Sequence, residues 1–191
     1  MTALDTLSPV CMIPRRRSLA IEPLEFLQKI AAIEINRTVA RDGIVYFVLD
    51  VYLQHFTSRI PTNQKTAAAL RSSGKGQQRR AKPDYQIEKR FSDFAAFRYS
   101  VWLQAQKNHG CKCAYCDEFM DYIVYRMAQP RLLVRLATTV NTRKKLFATF
   151  SNEFVRLAVK DEQLQRPQGS QCAGFQAIPS LVERFFREQD V

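Results

Sequence analysis

Two alternating apolar segments joined by a tight turn constrain this chain more than any other feature. Between Ile30 and Val39 the residues Ile33, Ile35 and Val39 recur at even spacing, the period of a half-buried strand. Ile44 to Gln54 returns with Val45, Phe47, Leu49 and Val51 set against Tyr46, Val48 and Tyr52. Arg41-Asp42-Gly43 lies between them and supplies residues that tolerate positive φ, so the pattern predicts an antiparallel hairpin. A third alternation sets Tyr85, Ile87 and Lys89 against Gln86, Glu88 and Arg90. It predicts a short strand with Arg90 facing away from the side on which Tyr85 and Ile87 pack.

Beyond Arg90 the apolar period becomes helical. Ser92 is placed to cap a helix carrying Phe94, Phe97, Val101 and Ala105, with Trp102 beside them, ending near Asn108-His109-Gly110. A second apolar segment, Phe119 to Met127, also suits a helix and is broken by Pro130. Asn141 can cap a long helix whose stripe is Leu146, Phe147, Phe150, Phe154 and Leu157, running to about Lys160. Gln165 to Gly174 reads as a loop. Ser180 and Glu183, at capping-box spacing, open a last short helix with Leu181, Val182, Phe185 and Phe186 inward. The expected class is α+β, a three-stranded antiparallel β-meander followed by a helical subdomain. Residues 1 to about 27, with Pro9, Pro14, Pro23 and the triplet Arg15 to Arg17, read as a mobile or loosely docked lead-in. That leaves 28–191 as a single domain, interrupted at about 56–83 by a flexible basic insertion containing Arg71, Lys75, Arg79, Arg80 and Lys82 and no acid before Asp84.

At 191 residues, 46% of them hydrophobic, the chain can bury one sizeable core. The longest apolar candidate for a membrane span, Gly43 to Leu53, is too short and is interrupted by Asp50, so membrane contact is expected to be peripheral. The first residues lack the uninterrupted apolar segment of a secretory signal, and a cytoplasmic location is the default expectation. A net charge of +11 implies a polyanionic partner, and anionic lipid headgroups and nucleic acid both satisfy it.

Where that charge concentrates is more informative. Arg90 taken alone reads as a strand-end arginine, solvated or paired with a carboxylate. From Arg131 to Lys145 the chain adds Arg131, Arg135, Arg143, Lys144 and Lys145 with no acidic residue. With Asn141 as cap, the last three fall in the first helical turn. Cations there oppose the helix macrodipole at roughly 0.3–1 kcal/mol each, a sign that a bound anion reverses. In the alternative, the side chains fan into solvent and the helix begins earlier, near Leu132.

The run Glu88-Lys89-Arg90-Phe91-Ser92-Asp93-Phe94 resembles the signature of the PX (Phox homology) domain, in which a basic pair, an aromatic, a variable residue, an acid and a phenylalanine close the third strand and open the first helix. The order of strands and helices from about Ile30 to Arg187 is similar as well. The resemblance implies that Arg90 binds the 3-phosphate of a phosphoinositide and Phe91 packs on the inositol. It implies contact of Arg131 with the 1-phosphate and of Arg143 with the 4- and 5-hydroxyls. Leu132, Leu133 and Val134 would enter the headgroup region or pack in the core. The expected function is that of a non-enzymatic module recognising phosphatidylinositol 3-phosphate on endosomal membranes, in membrane trafficking. The chain departs from the family pattern in keeping one proline in Ala128-Gln129-Pro130-Arg131, in its long insertion and in its cysteines.

His109, Cys111, Cys113 and Cys116 place four candidate zinc ligands in eight residues, and Cys113-Ala-Tyr-Cys116 has knuckle spacing. No second pair of that spacing exists, and Cys172 could take part only by folding back. With five cysteines, an odd number, reduced structural thiols are the simpler reading, and no metal or cofactor is expected. The competing class is a basic nucleic-acid module, which the charge and aromatic content suit but which shows no fingerprint of such readers. Nucleic acid is therefore not the expected partner. With two histidines, His55 and His109, and no glycine-rich phosphate loop or nucleophile elbow, no enzyme is expected.

Overall fold

The computed structural model describes residues 20–54, 82–107, 113–126, 129–160 and 172–188. The first nineteen residues, nearly all of the basic insertion, His55, His109, Cys111 and the loop expected after Gln165 as far as residue 171 lie outside them. The architecture is α+β, a three-stranded antiparallel sheet whose strands are followed by helices.

Strands β1 (Ile30–Arg41) and β2 (Ile44–Leu53) pair antiparallel, with β2 in the centre and β3 (Tyr85–Arg90) on its other edge. Asp42 and Gly43 turn the hairpin at φ 51° and 74°, the left-handed values that the acid–glycine pair was expected to accept. The register between β1 and β2 shifts between Glu34 and Arg37. Asn36, in that bulge, donates to Asp50 Oδ2 at 3.2 Å, while Gln86 donates to Asp50 Oδ1 at 2.6 Å. Those two amides allow a carboxylate to sit buried in the central strand.

Helix α2 (Phe91–Gln106) follows β3 without a linker, and α3 (Ala114–Tyr125), α4 (Leu132–Ala137), α5 (Val140–Ala158) and α6 (Ala173–Phe186) follow in turn. The stripe Phe94, Phe97, Val101 and Ala105 is buried as its spacing predicts, and so are Phe147, Phe150, Phe154 and Leu157 of α5. These rings form the centre of the core. Phe94 stacks on Phe147 with centroids 4.1 Å apart and planes at 14°, and Phe97 stacks on Phe185 of α6 at 4.2 Å and 8°. Phe47 of β2 meets Phe147 edge-on at 4.8 Å, which joins the sheet to the helices.

Several boundaries differ from expectation. Residues 21–27 are not a loose lead-in but helix α1 (Ile21–Leu27), with Pro23, Leu24 and Leu27 buried. Pro23 falls in the first turn, where its missing N–H has no intrahelical acceptor to lose. The cap of α2 is Arg90, not Ser92, because the Asp93 carboxylate reaches back to the Arg90 N–H at 2.7 Å. Helix α5 is capped by Thr139, whose hydroxyl accepts from the Thr142 N–H, and Asn141 lies inside the first turn. Helix α6 begins at Ala173 behind Cys172, seven residues before the expected Ser180 start, and carries Pro179 within it.

One polar side chain ties β1 to α5. Asn152 accepts from the Ile33 N–H at 3.0 Å and donates to the Ile33 carbonyl at 2.7 Å, pairing with an edge strand as a neighbouring strand would. Asn152→Ala strands both backbone groups and is expected to lower unfolding free energy by about 1–3 kcal/mol, measured by urea denaturation. Arg156→Ala, which removes only the exposed Arg156–Glu153 pair, is expected to stay within about 0.5 kcal/mol in the same assay.

Candidate functional site

The β3–α2 junction carries Arg90 and Phe91, and the residues around it decide what that pair can do. The Phe91 ring is half-buried, 5.5 Å from the Phe147 ring and 6.0 Å from the guanidinium carbon of Arg135, a cation–π distance. Arg135 belongs to α4, and its carbonyl accepts from Arg143 Nη2 at 2.9 Å. Arg143 also donates to the Thr138 carbonyl at 2.7 Å and to Thr138 Oγ1 at 3.4 Å. The fold thus gathers Phe91, Arg135, Thr138 and Arg143 at one place, with Arg90 immediately before the ring. Lys144 donates to the Asn36 carbonyl at 3.0 Å and anchors the start of α5 to the bulge in β1.

The expected cations are engaged, not poised around an empty hollow. Arg90 is exposed and paired with Asp93, Nη2 to Oδ1 at 3.2 Å and Nε to Oδ2 at 3.4 Å. Its pKa is raised, chiefly by the hydrogen bond to Asp93. Burial pushes the Asp93 carboxyl up, but hydrogen bonds from the Arg90 backbone and guanidinium and from Ser92 outweigh it, and its pKa is lowered. Arg143 spends Nη2 and Nε at the C-terminal end of α4, whose carbonyls carry the negative end of the helix dipole. Its Nη1 has no partner among the described residues.

Arg131 sits at the other end of α4 and plays the same part for α3. Its Nη2 donates to the carbonyls of Ile123 and Val124 at 2.9 and 2.7 Å. Arg98 of α2 donates to the same Ile123 carbonyl at 3.3 Å, so two guanidiniums share one acceptor. Burial first, and then the charge of Arg131, lower the Arg98 pKa. The buried Nε of each finds no partner among the described residues. Arg131 is therefore held beside Arg98, while Arg143 is held beside Arg135.

Sequence reasoning named Arg135 only as part of a charge run and did not name Arg98. Arg98 lies seven residues after Phe91, on the same helix face, and that spacing was the available signal. Of the expected membrane residues, Val134 is half-buried, and the side chains of Leu132 and Leu133 lie outside the described residues. Leu136, which was not singled out, is 74% exposed. Lys89, on the inner side of β3, is buried with its ammonium 5.1 Å from the centre of the Phe185 ring, and burial lowers its pKa.

The chain matches no family model, no curated protein and no solved structure. No helix among the described residues is long and apolar enough to cross a membrane. A cleft of about 700 Å³ lies between α3 and α5, lined by Glu118, Asp121, Arg126, Glu153, Arg156 and Lys160 among others. Its charges are of both signs, with Lys160 on Glu118 and Arg156 on Glu153, and none of Arg90, Phe91, Arg131 and Arg143 lines it.

The Arg90–Asp93 pair sets a pH dependence. An Asp whose folded pKa lies below its unfolded value of about 3.9 contributes stability that is fully present above that value and is lost as pH falls through the folded pKa. Asp93→Asn is expected to be less stable than the parent at about pH 7, and the gap is expected to narrow below about pH 4. Thermal melts across that range provide the check.

Proposed function

We propose that this chain is a peripheral membrane-targeting module of the PX kind, which recognises a phosphoinositide headgroup, phosphatidylinositol 3-phosphate in particular, on endosomal membranes facing the cytoplasm, and performs no chemistry. The observation that carries the reading is the packing of Phe91 between Phe147 and Arg135, with Arg90 on the preceding residue. It supports a site in which a flat, half-buried ring lies between cations, an arrangement suited to a phosphorylated ring. The PX-like signature of residues 88–94 supports it from the sequence side.

The ion pair on Arg90 does not oppose this reading. Asp93 is held in place by the Arg90 backbone N–H, so its carboxylate keeps its capping partner when the guanidinium swings to a phosphate. The exchange replaces an exposed surface pair, which is weak in water, by a contact with a more highly charged anion. Arg135, rather than Arg131, is the cation beside the ring. Arg143 contributes by fixing α4 and by an Nη1 that has no partner among the described residues. Leu136 adds an exposed apolar side chain next to Arg135, and an apolar contact beside basic residues supplies the second signal that stable residence on a membrane requires.

Sedimentation with vesicles tests the proposal. The parent is expected to pellet with phosphatidylinositol 3-phosphate in preference to phosphatidylserine at equal surface charge. Arg90→Ala is expected to weaken that binding roughly tenfold or more, and Lys144→Ala by less, because a guanidinium gives bidentate geometry as well as charge. Equal binding to all acidic vesicles, together with tight, salt-dependent binding to nucleic acid, would contradict the proposal and favour the basic nucleic-acid module.

A further inference from the structure

Cys113, Cys116 and Cys172 come together in a second cluster, remote from the basic junction. It lies at the C-terminal end of α2, where the start of α6 passes the Gln104 carbonyl. Gln104 lies fourteen positions after Arg90 along α2, and at the ordinary helical rise the two places are about 20 Å apart. The sulfur of Cys172 is 3.0 Å from that of Cys113 and 3.5 Å from that of Cys116, and all three lie within 4.8 Å of one another. Cys172 therefore does fold back onto the Cys113-x-x-Cys116 pair, across a separation of 59 and 56 residues.

The backbone around the cluster favours negative sulfur. Cys113 caps α3 and Cys172 caps α6, so the positive ends of two helix dipoles meet there. The Phe175 N–H donates to Cys172 Sγ at 3.2 Å. Gly174 completes the arrangement, because a Cβ at that position would overlap Cys116 Sγ. Only glycine lets the first turn of α6 come so close to the sulfurs.

We propose that Cys113, Cys116 and Cys172 bind one zinc ion as thiolates, in a structural site that pins the start of α6 to the start of α3. Tetrahedral zinc with Zn–S bonds of about 2.3 Å sets its sulfurs about 3.8 Å apart, so the observed triangle needs adjustments of no more than about 1 Å to accept the ion. Three thiols release three protons to solvent on binding. The resulting group carries one net negative charge, which the two helix starts and the Phe175 N–H neutralise in part. Zinc is the fitting cation because the three donors are soft thiolates and the site needs no electron transfer, and a water would complete the tetrahedron. A disulfide would use two of the sulfurs and leave the third without a role, and simple packing would not require three sulfurs to converge on two helix N-termini. The proposal is independent of the lipid reading, since no residue is shared.

The test is metal analysis of the full chain purified with zinc and without chelator. One zinc per chain is expected by elemental analysis, released by a thiol-modifying reagent. Cobalt substitution is expected to give thiolate-to-metal charge-transfer absorption and tetrahedral visible bands. Cys172→Ser is expected to lose stoichiometric zinc, and Arg90→Ala to retain it. Should Cys172→Ser fail to fold, the cobalt spectrum of the parent still decides. Absence of zinc and of the cobalt bands would overturn the proposal. So would an intact mass two hydrogens light, which signals a disulfide.

Discussion

The stacked pair Phe94–Phe147 is the contact on which the rest of the molecule depends. It fixes the start of α2 to the start of α5 and, through the edge of Phe47, fixes both to the central strand. Phe91 lies one turn before Phe94 and so is carried onto the same Phe147 ring. Arg143 lies one turn before Phe147, and its hydrogen bonds to the end of α4 bring Arg135 over Phe91. The composition of the basic junction is thus a consequence of aromatic packing, and the charges follow where the rings lead.

Electrostatics then assigns the cations two kinds of work. Arg131 and Arg98 sit on the last carbonyls of α3, and Arg143 on those at the end of α4, where the negative ends of the helix dipoles offset positive charge. In a chain of net charge +11 such positions absorb part of the self-repulsion. A guanidinium has five donors, and one that spends three on carbonyls and a hydroxyl remains a cation with donors to spare. Structural capping and recognition of an anion are therefore compatible in Arg143. Arg90 differs, since its described partner is a single half-buried carboxylate.

Much of the fold was legible in the sequence where one local rule decided the outcome. Asp42-Gly43 could form little other than a tight turn, and Phe94, Phe97, Val101 and Ala105 could share a face only in a helix. Where two rules competed, the sequence misled. Pro23 read as part of a loose lead-in although it lies in the first turn of α1, and Ser180 read as a helix start although α6 begins seven residues earlier. Cys172 was not recognised as a cap because a thiol is a poor candidate by type, and its acceptance of the Phe175 N–H depends on the cluster around it. At the site, the pairing of Arg90 with Asp93 was readable from their spacing. The approach of Arg135 to Phe91 and of Arg98 to Arg131 was not, because both arise from how separate helices meet. The return of Cys172 to Cys113 is of the same long-range kind.

The central claim is that a phosphorylated inositol ring is held at the β3–α2 junction, beside Phe91 and between Arg90 and Arg135. A titration of the isotopically labelled protein with a soluble short-chain phosphatidylinositol 3-phosphate, followed by amide chemical shifts, tests it most directly. The account predicts saturable shifts concentrated at Arg90 to Asp93 and from Arg135 to Arg143. Shifts concentrated in the cleft between α3 and α5, or no saturable shifts at all, would contradict it.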